Sequence, residues 1–162
     1  LGVAQLSYAN NFKWAVSGGE DRYRRGLYTF FKRTSPHPNL ITFDCPDSNV
    51  TCVKRNISNT PIAALATLNN SVFTVAAKEM AKRLIKEQDS DSERIAMGFQ
   101  LCTARKPSTK EAAAFLTLLK KAKLYYGENE TEAKAFNGDA EASAWATLTR
   151  IFLNLDEFIT RE

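Results

Sequence analysis

The stretch YRRGLYTFFKRTSPHPNLITFDCPDSNVTC, residues 23–52, holds the chain's one histidine and two of its three cysteines. Its residue types allow four chemistries. His37, between Pro36 and Pro38, could ligate a metal or move a proton, with Asp44, Cys45 and Asp47 nearby in sequence. A lone histidine with no second ligand at fixed spacing is weak evidence for either role. Asp44 and Asp47 flank Cys45-Pro46, and two carboxyls about 5–10 Å apart are what glycoside hydrolysis requires. Aspartates beside Pro and Ser equally form turns by bonding their own backbone. Cys45 and Cys52, with six residues between them, are candidates for a disulfide if the chain is exported and for buried thiols if it is not. With His37 they make a candidate metal or redox set, although their spacing exceeds that of zinc knuckles.

The fourth chemistry is anion binding. Arg22, Arg24, Arg25, Lys32, Arg33, Lys54 and Arg55 are interleaved with Tyr23, Tyr28 and Phe30, which could stack on bases or sugars. Arg24, Arg25, Lys54 and Arg55 are the binding candidates. Against this, the aromatics fit a core stripe, and Arg24 or Arg25 suits bidentate pairing with Asp44, Asp47 or another acid. The net charge of +4 is concentrated: residues 1–60 hold eight Lys/Arg against four Asp/Glu, and residues 61–162 hold fourteen of each. An excess this small steers anionic partners but falls short of a nucleic-acid binder, which is usually far more basic. Cys102, beside Phe99 and Leu101, reads as a buried thiol.

The elements that must hold these residues are mostly helical. Residues 1–19 lack a period and read as an irregular arm anchored by Tyr8, Phe12 and Trp14. Tyr23, Leu27, Phe30 and Phe31 then form one helical stripe from Glu20, which Pro36 and Pro38 end. Residues 35–59 are a long irregular loop in which NLITF and VTCVK are candidate strands of a short β-hairpin. A loop this long is usually functional or covered by something else. Thr60-Pro61 opens a regular region, and Ser71 begins a longer helix with Val72, Ala76, Met80 and Leu84 on one side. EQDSDSE is a polar linker. Ile95, Phe99 and Cys102 mark a short helix stopped by Pro107. Ser108 and Glu111 form a capping box for a helix expected to end at Gly127. Residues 128–138 read as a polar connection, and a last helix from about Asp139 carries Trp145, Leu148, Phe152, Leu155 and Ile159. The expected fold is therefore mostly α, a single helical domain over 20–162 with about six helices. No run of about 18 apolar residues is present to span a membrane. A chain that opens on Leu1 is expected to be a fragment of a longer protein.

Four strings carry a family resemblance: YRRGLYTFFKRTSPHP (23–38), TFDCPDSNVTCVKR (42–55), SNTPIAALATLNNSVF (58–73) and LNLDEFITRE (153–162). Ala104-Arg105-Lys106-Pro107-Ser108 stands where relatives tend to read Gly-Arg-Pro-Pro-Thr. Over roughly residues 8–162 the chain resembles a C-terminal planctomycete domain of unknown function. That domain occurs in large exported proteins together with planctomycete cytochrome C domains.

The resemblance implies a C-terminal piece of such a protein in the periplasm or cell envelope, and it carries over no catalytic residue. No Cys-x-x-Cys-His haem attachment motif occurs here, so haem would belong only to upstream domains. The leading expectation is a non-catalytic accessory or interaction domain whose partners are the upstream domains of the same protein or an envelope partner, with no nucleic acid. The alternatives are a carbohydrate-binding or hydrolytic cleft at 35–59, and a metal or redox site of Cys45, Cys52 and His37.

Overall fold

The computed structural model describes residues 15–32, 36–46, 49–56 and 58–160. The arm's expected anchors Tyr8, Phe12 and Trp14, together with Arg33 and Asp47, lie outside the described residues. By backbone contacts the chain forms two compact units, Leu1–Ala66 and Thr67–Glu162. The described residues are helical and contain no strand.

In the first unit the helix expected from Glu20 is replaced by two short 3-10 turns, Gly19–Tyr23 and Gly26–Tyr28. Most of the apolar stripe is left uncovered: Tyr23, Leu27 and Phe30 stay exposed, Leu27 to 81 %. Without tertiary packing a helix of this length is marginal in water. Gly19 at a φ of +55° also leaves the helical region at its start. NLITF is corrected as well. It lies in a short helix, α1 (Pro38–Thr42), and VTCVK forms bends. Pro38 takes the first helical position, which needs no N–H, so the β-branched residues after it do not decide the conformation. The regular region begins as expected at α2 (Pro61–Asn69), where Thr60 Oγ1 accepts the Ala63 N–H at 3.1 Å.

The second unit consists of α3 (Ser71–Glu87), α4 (Asp91–Thr103), α5 (Thr109–Glu128), α6 (Glu130–Asn137), α7 (Ala140–Phe152) and α8 (Asp156–Ile159). Side-chain caps start most of them: Asn70 for α3, Ser90 with Glu93 for α4, Ser108 with Glu111 for α5 and Asp139 for α7. Each satisfies orphan N–H groups and contributes about 1 kcal/mol. The Ser90–Glu93 capping box was hidden in the segment expected to be a polar linker. Gly127 continues α5 rather than ending it, and the expected polar connection contains α6. Ala133 and Phe136 anchor α6, with the Phe136 ring stacked on Tyr126 at 6.1 Å.

The core is organised around α7, which packs on α3, α5, α6 and α4. Seven of its residues are buried: Ser143, Ala144, Trp145, Ala146, Leu148, Thr149 and Phe152. A helix apolar on nearly every side belongs inside a bundle. Phe152 meets Phe115 at 4.9 Å and Phe99 at 6.4 Å, both edge-on, the preferred aromatic geometry. Two buried hydroxyls fix its neighbours. Thr149 donates to the Ala77 carbonyl of α3 at 2.8 Å, and Ser143 to the Ala133 carbonyl of α6 at 2.9 Å. At the rim, Arg105 pairs with Glu111 at 2.7 Å and Glu157 at 2.5 Å, tying the first turn of α5 to α8. The Arg105 guanidinium, helped by Ser108, holds the Glu111 carboxyl down to about 2.

Gly98 marks the tightest approach within this unit. A Cβ there would lie 2.7 Å from Phe152 Cε2 and 2.9 Å from Leu84 Cδ1. At Gly127 no atom stands within 4 Å of the same position. Gly98→Ala is therefore expected to destabilise the unit by about 1–3 kcal/mol through overpacking. Gly127→Ala is expected to stabilise it by about 0.5–1 kcal/mol through helix propensity. Urea midpoints of the two variants should move in opposite directions, and a shared sign would contradict this packing.

Candidate functional site

The chemistry-bearing residues of 36–58 gather around α1. At its start, His37 is the N-cap, and its Nδ1 accepts the Asn39 N–H at 3.2 Å. Burial lowers the pKa of His37, favouring the neutral ring that this acceptor role needs. At the other end the chain leaves α1 through a left-handed residue. Asp44 has a φ of +54°, its N–H donates to Ile41 O at 3.1 Å, and Cys45 N–H donates to Leu40 O at 2.8 Å. This is a Schellman closure, with Asp in the position glycine usually takes. Asp is one of the few other residues that tolerate it.

Two side chains from further along lock that exit. Ser58 donates to Asp44 Oδ2 twice, from its N–H at 2.9 Å and its hydroxyl at 2.6 Å. Arg55 donates to the carbonyls of Phe43 at 2.5 Å and Asp44 at 3.0 Å. A cation is thereby placed on the negative end of α1. Residues that resemble catalytic groups by type thus serve as a cap, a turn and a brace. Ser58 was missed by sequence reasoning, because the only sign of its role is an Asp far away in sequence that needs partners for its carboxylate.

A groove of about 840 Å3 opens beside this brace, and Asp44, Cys45, Cys52 and Lys54 all line it. Its apolar wall includes Phe31, Leu40, Val50 and Val53. Cys45 and Cys52 are separate thiols here, and Cys52 donates to the Lys54 carbonyl at 3.3 Å. His37 is not part of the groove lining, and among the described residues no three His, Cys, Asp or Glu side chains gather as a metal-ligating set. Arg24 and Arg25 stand elsewhere. Arg24 pairs with Asp21 at 2.6 Å, and Arg25 lies over the Tyr28 ring at 5.7 Å. Of the acids expected to pair with Arg24 or Arg25, it is Asp21 rather than Asp44 that holds Arg24. Cys102, in the second unit, is half-buried, and burial pushes its thiol up to about 11, which leaves it protonated and unreactive at neutral pH.

The family model for PSD1, a protein of unknown function (DUF1553), matches residues 2–119. The chain belongs to this family. No curated protein and no solved structure matches it. The DUF1553 match takes in the whole brace and groove, so both fall within the part of the chain the family describes. It is shorter than the resemblance over 8–162 expected from the sequence, stopping at Leu119 within α5. No helix among the described residues is long and apolar enough to cross a membrane.

Two outcomes follow from the brace. Asp44→Ala is expected to weaken it by about 1–2 kcal/mol, since Ala loses the Ser58 bonds and is strained at positive φ. Asp44→Asn keeps an acceptor and the backbone tolerance and should retain most of that stability. Exchange of the Ser58 amide is the readout, and equal exchange in both variants would refute the role given to Asp44. The His37 cap operates fully above the ordinary histidine pKa of 6.5 and weakens as pH falls through the lowered value in the folded chain. A nuclear magnetic resonance titration of this lone histidine should give an apparent pKa below 6.5, with the protection of the Asn39 amide against exchange, relative to an unstructured peptide at the same pH, falling in step as the pH falls. A pKa above 6.5 would show that Nδ1 is not an acceptor.

Proposed function

We propose that this DUF1553 chain is a non-catalytic helical accessory domain that docks on other protein through the unit Leu1–Ala66. The observation that carries this reading is the apolar surface that the unit leaves open. Val53 is 98 % exposed, and Leu27, Phe30, Ile41, Val50 and Ile62 are also exposed. Exposed apolar groups that gather at one place mark interaction sites, and Ile41, Val50 and Val53 border the same groove. The engagement of Asp44 by Ser58 and of His37 by Asn39 supports the non-catalytic part, since both groups already hold backbone in place.

The resemblance to planctomycete proteins extends the proposal. In it, the chain is the C-terminal part of a large exported protein of the periplasm or cell envelope, and its partners are upstream domains of that protein or an envelope partner. Any haem would sit on those upstream cytochrome C domains. Export would expose Cys45 and Cys52 to oxidation, and a disulfide between them would stabilise the unit by about 2–3 kcal/mol on the chain-entropy account.

The test is photocrosslinking in the native host, with p-benzoylphenylalanine in place of Val53. A discrete adduct, a crosslinked peptide joined to an upstream domain of the same protein or to an envelope partner, is expected from position 53. None is expected from the same probe at Lys120, an exposed position on α5 in the other unit. An irradiated sample with no adduct at 53, or with the same smear at both positions, would overturn the docking reading.

A further inference from the structure

The second unit holds a pair of cations for which the described residues supply no acid. Lys78 on α3 and Arg150 on α7 are both half-buried. Both lie against the ring of Phe136 on α6, with Lys78 Nζ 4.8 Å and Arg150 Cζ 5.9 Å from its centroid. Neither makes an ion pair among the described residues, because the acids of these helices are engaged elsewhere. Glu79 and Glu87 of α3 hold Lys82 and Arg83, Glu130 and Glu132 of α6 hold Lys134 and Tyr125, and Glu141 of α7 holds Arg94. The nearby α2 contains no acid.

What the two cations do meet is the negative end of two helices. Lys78 Nζ donates to the Phe136 carbonyl in the last turn of α6. Arg150 Nη2 donates to the Leu68 carbonyl in the last turn of α2 at 2.5 Å. A helix end carries only about half a unit of negative charge, so about one positive charge of the pair is left uncompensated. Partial burial raises the cost of leaving it so. Donors remain to hold a counterion. Arg150 Nε is buried without a partner, and Nη1 has none among the described residues. Lys78 uses one of the three N–H groups of its ammonium. Guanidinium N–H groups beside an ammonium are the donor set that carboxylates and phosphates select.

We propose that Lys78 and Arg150 form a binding site for one oxyanion, a carboxylate or a phosphate group, where α3, α6 and α7 meet. The anion accepts hydrogen bonds from Lys78 Nζ and Arg150 Nη1 and supplies the negative charge that the surrounding helices leave out. The site lies wholly within the second unit and does not depend on the docking reading of the first.

Nuclear magnetic resonance on the whole chain tests it, with sodium phosphate or sodium acetate titrated against chloride at constant ionic strength. The side-chain Nε–H signal of Arg150 is expected to shift saturably with at least one of the two anions. Lys78→Gln, its folding checked by circular dichroism, should weaken that binding at least ten-fold, and Lys78→Arg, which keeps the charge, should retain it. Saturation by phosphate alone assigns a phosphate-bearing ligand, and saturation by acetate assigns a carboxylate. Shifts that rise linearly without saturating, or that survive Lys78→Gln unchanged, would overturn the site. So would an Arg150 shift no larger than that of the amide of exposed Lys120, a comparison that needs no variant.

Discussion

The second unit depends on a single buried helix that can be approached closely from several sides. α7 presents small residues, Ser143, Ala144, Ala146 and Thr149, between its large ones, Trp145, Leu148 and Phe152. The small residues let α3 and α6 come near enough for side-chain hydroxyls to reach their backbones. The large ones fill the space toward α4 and α5. The bond to Ala133 satisfies the buried Ser143 hydroxyl, and the bond to Ala77 carries the Thr149 hydroxyl beyond the carbonyls of its own helix to α3. They also give α7 a defined register, which apolar packing alone specifies less sharply. Gly98 on α4 belongs to the same design, since its missing side chain is the space that Phe152 and Leu84 occupy.

The first unit is held differently. Among its described residues only Ala63 and Ala66 are buried apolar groups, so little of its order comes from a core. What fixes the region around α1 is a set of directed polar bonds at both ends of a helix only five residues long. Hydrogen bonds of this kind each contribute modestly in net terms, about 0.5–1.5 kcal/mol. A region built on them is more easily opened than a packed helix bundle. The proposed role fits that balance, since a partner that covers the apolar surface would supply the burial this unit lacks.

Legibility from sequence divides along the same line. The helices around α7 were readable, because period, caps and burial agree there: the Ser108–Glu111 box and the stripe through Trp145, Leu148 and Phe152 point one way. Where a signal needed tertiary context, the reading failed. The stripe at Tyr23, Leu27 and Phe30 has the right period but stays exposed. Gly127 has the residue type of a cap, but α5 runs through it and α6 follows after Asn129. The expected continuous last helix breaks after Phe152, and in that turn Asn154 accepts the hydroxyl of buried Thr67. At the candidate site the important residues were visible by type, yet their roles were not. Whether Asp44 is a catalyst or a turn depends on its φ and on Ser58, and neither is encoded locally.

The family match ends at Leu119, whereas the helix that completes the core lies beyond it, at 140–152. This has a consequence for synthesis. As the chain leaves the ribosome, α3, α4 and α5 emerge before the helix that covers their apolar faces. At typical elongation rates of about 5–20 residues per second, α3 waits several seconds for Trp145 and Phe152. Its exposed stripe is then a substrate for chaperones or for association with neighbouring nascent chains. Closure of the bundle is set by the arrival of a late segment, so a premature stop before Phe152 would release a chain with an uncovered core rather than a slightly shortened domain.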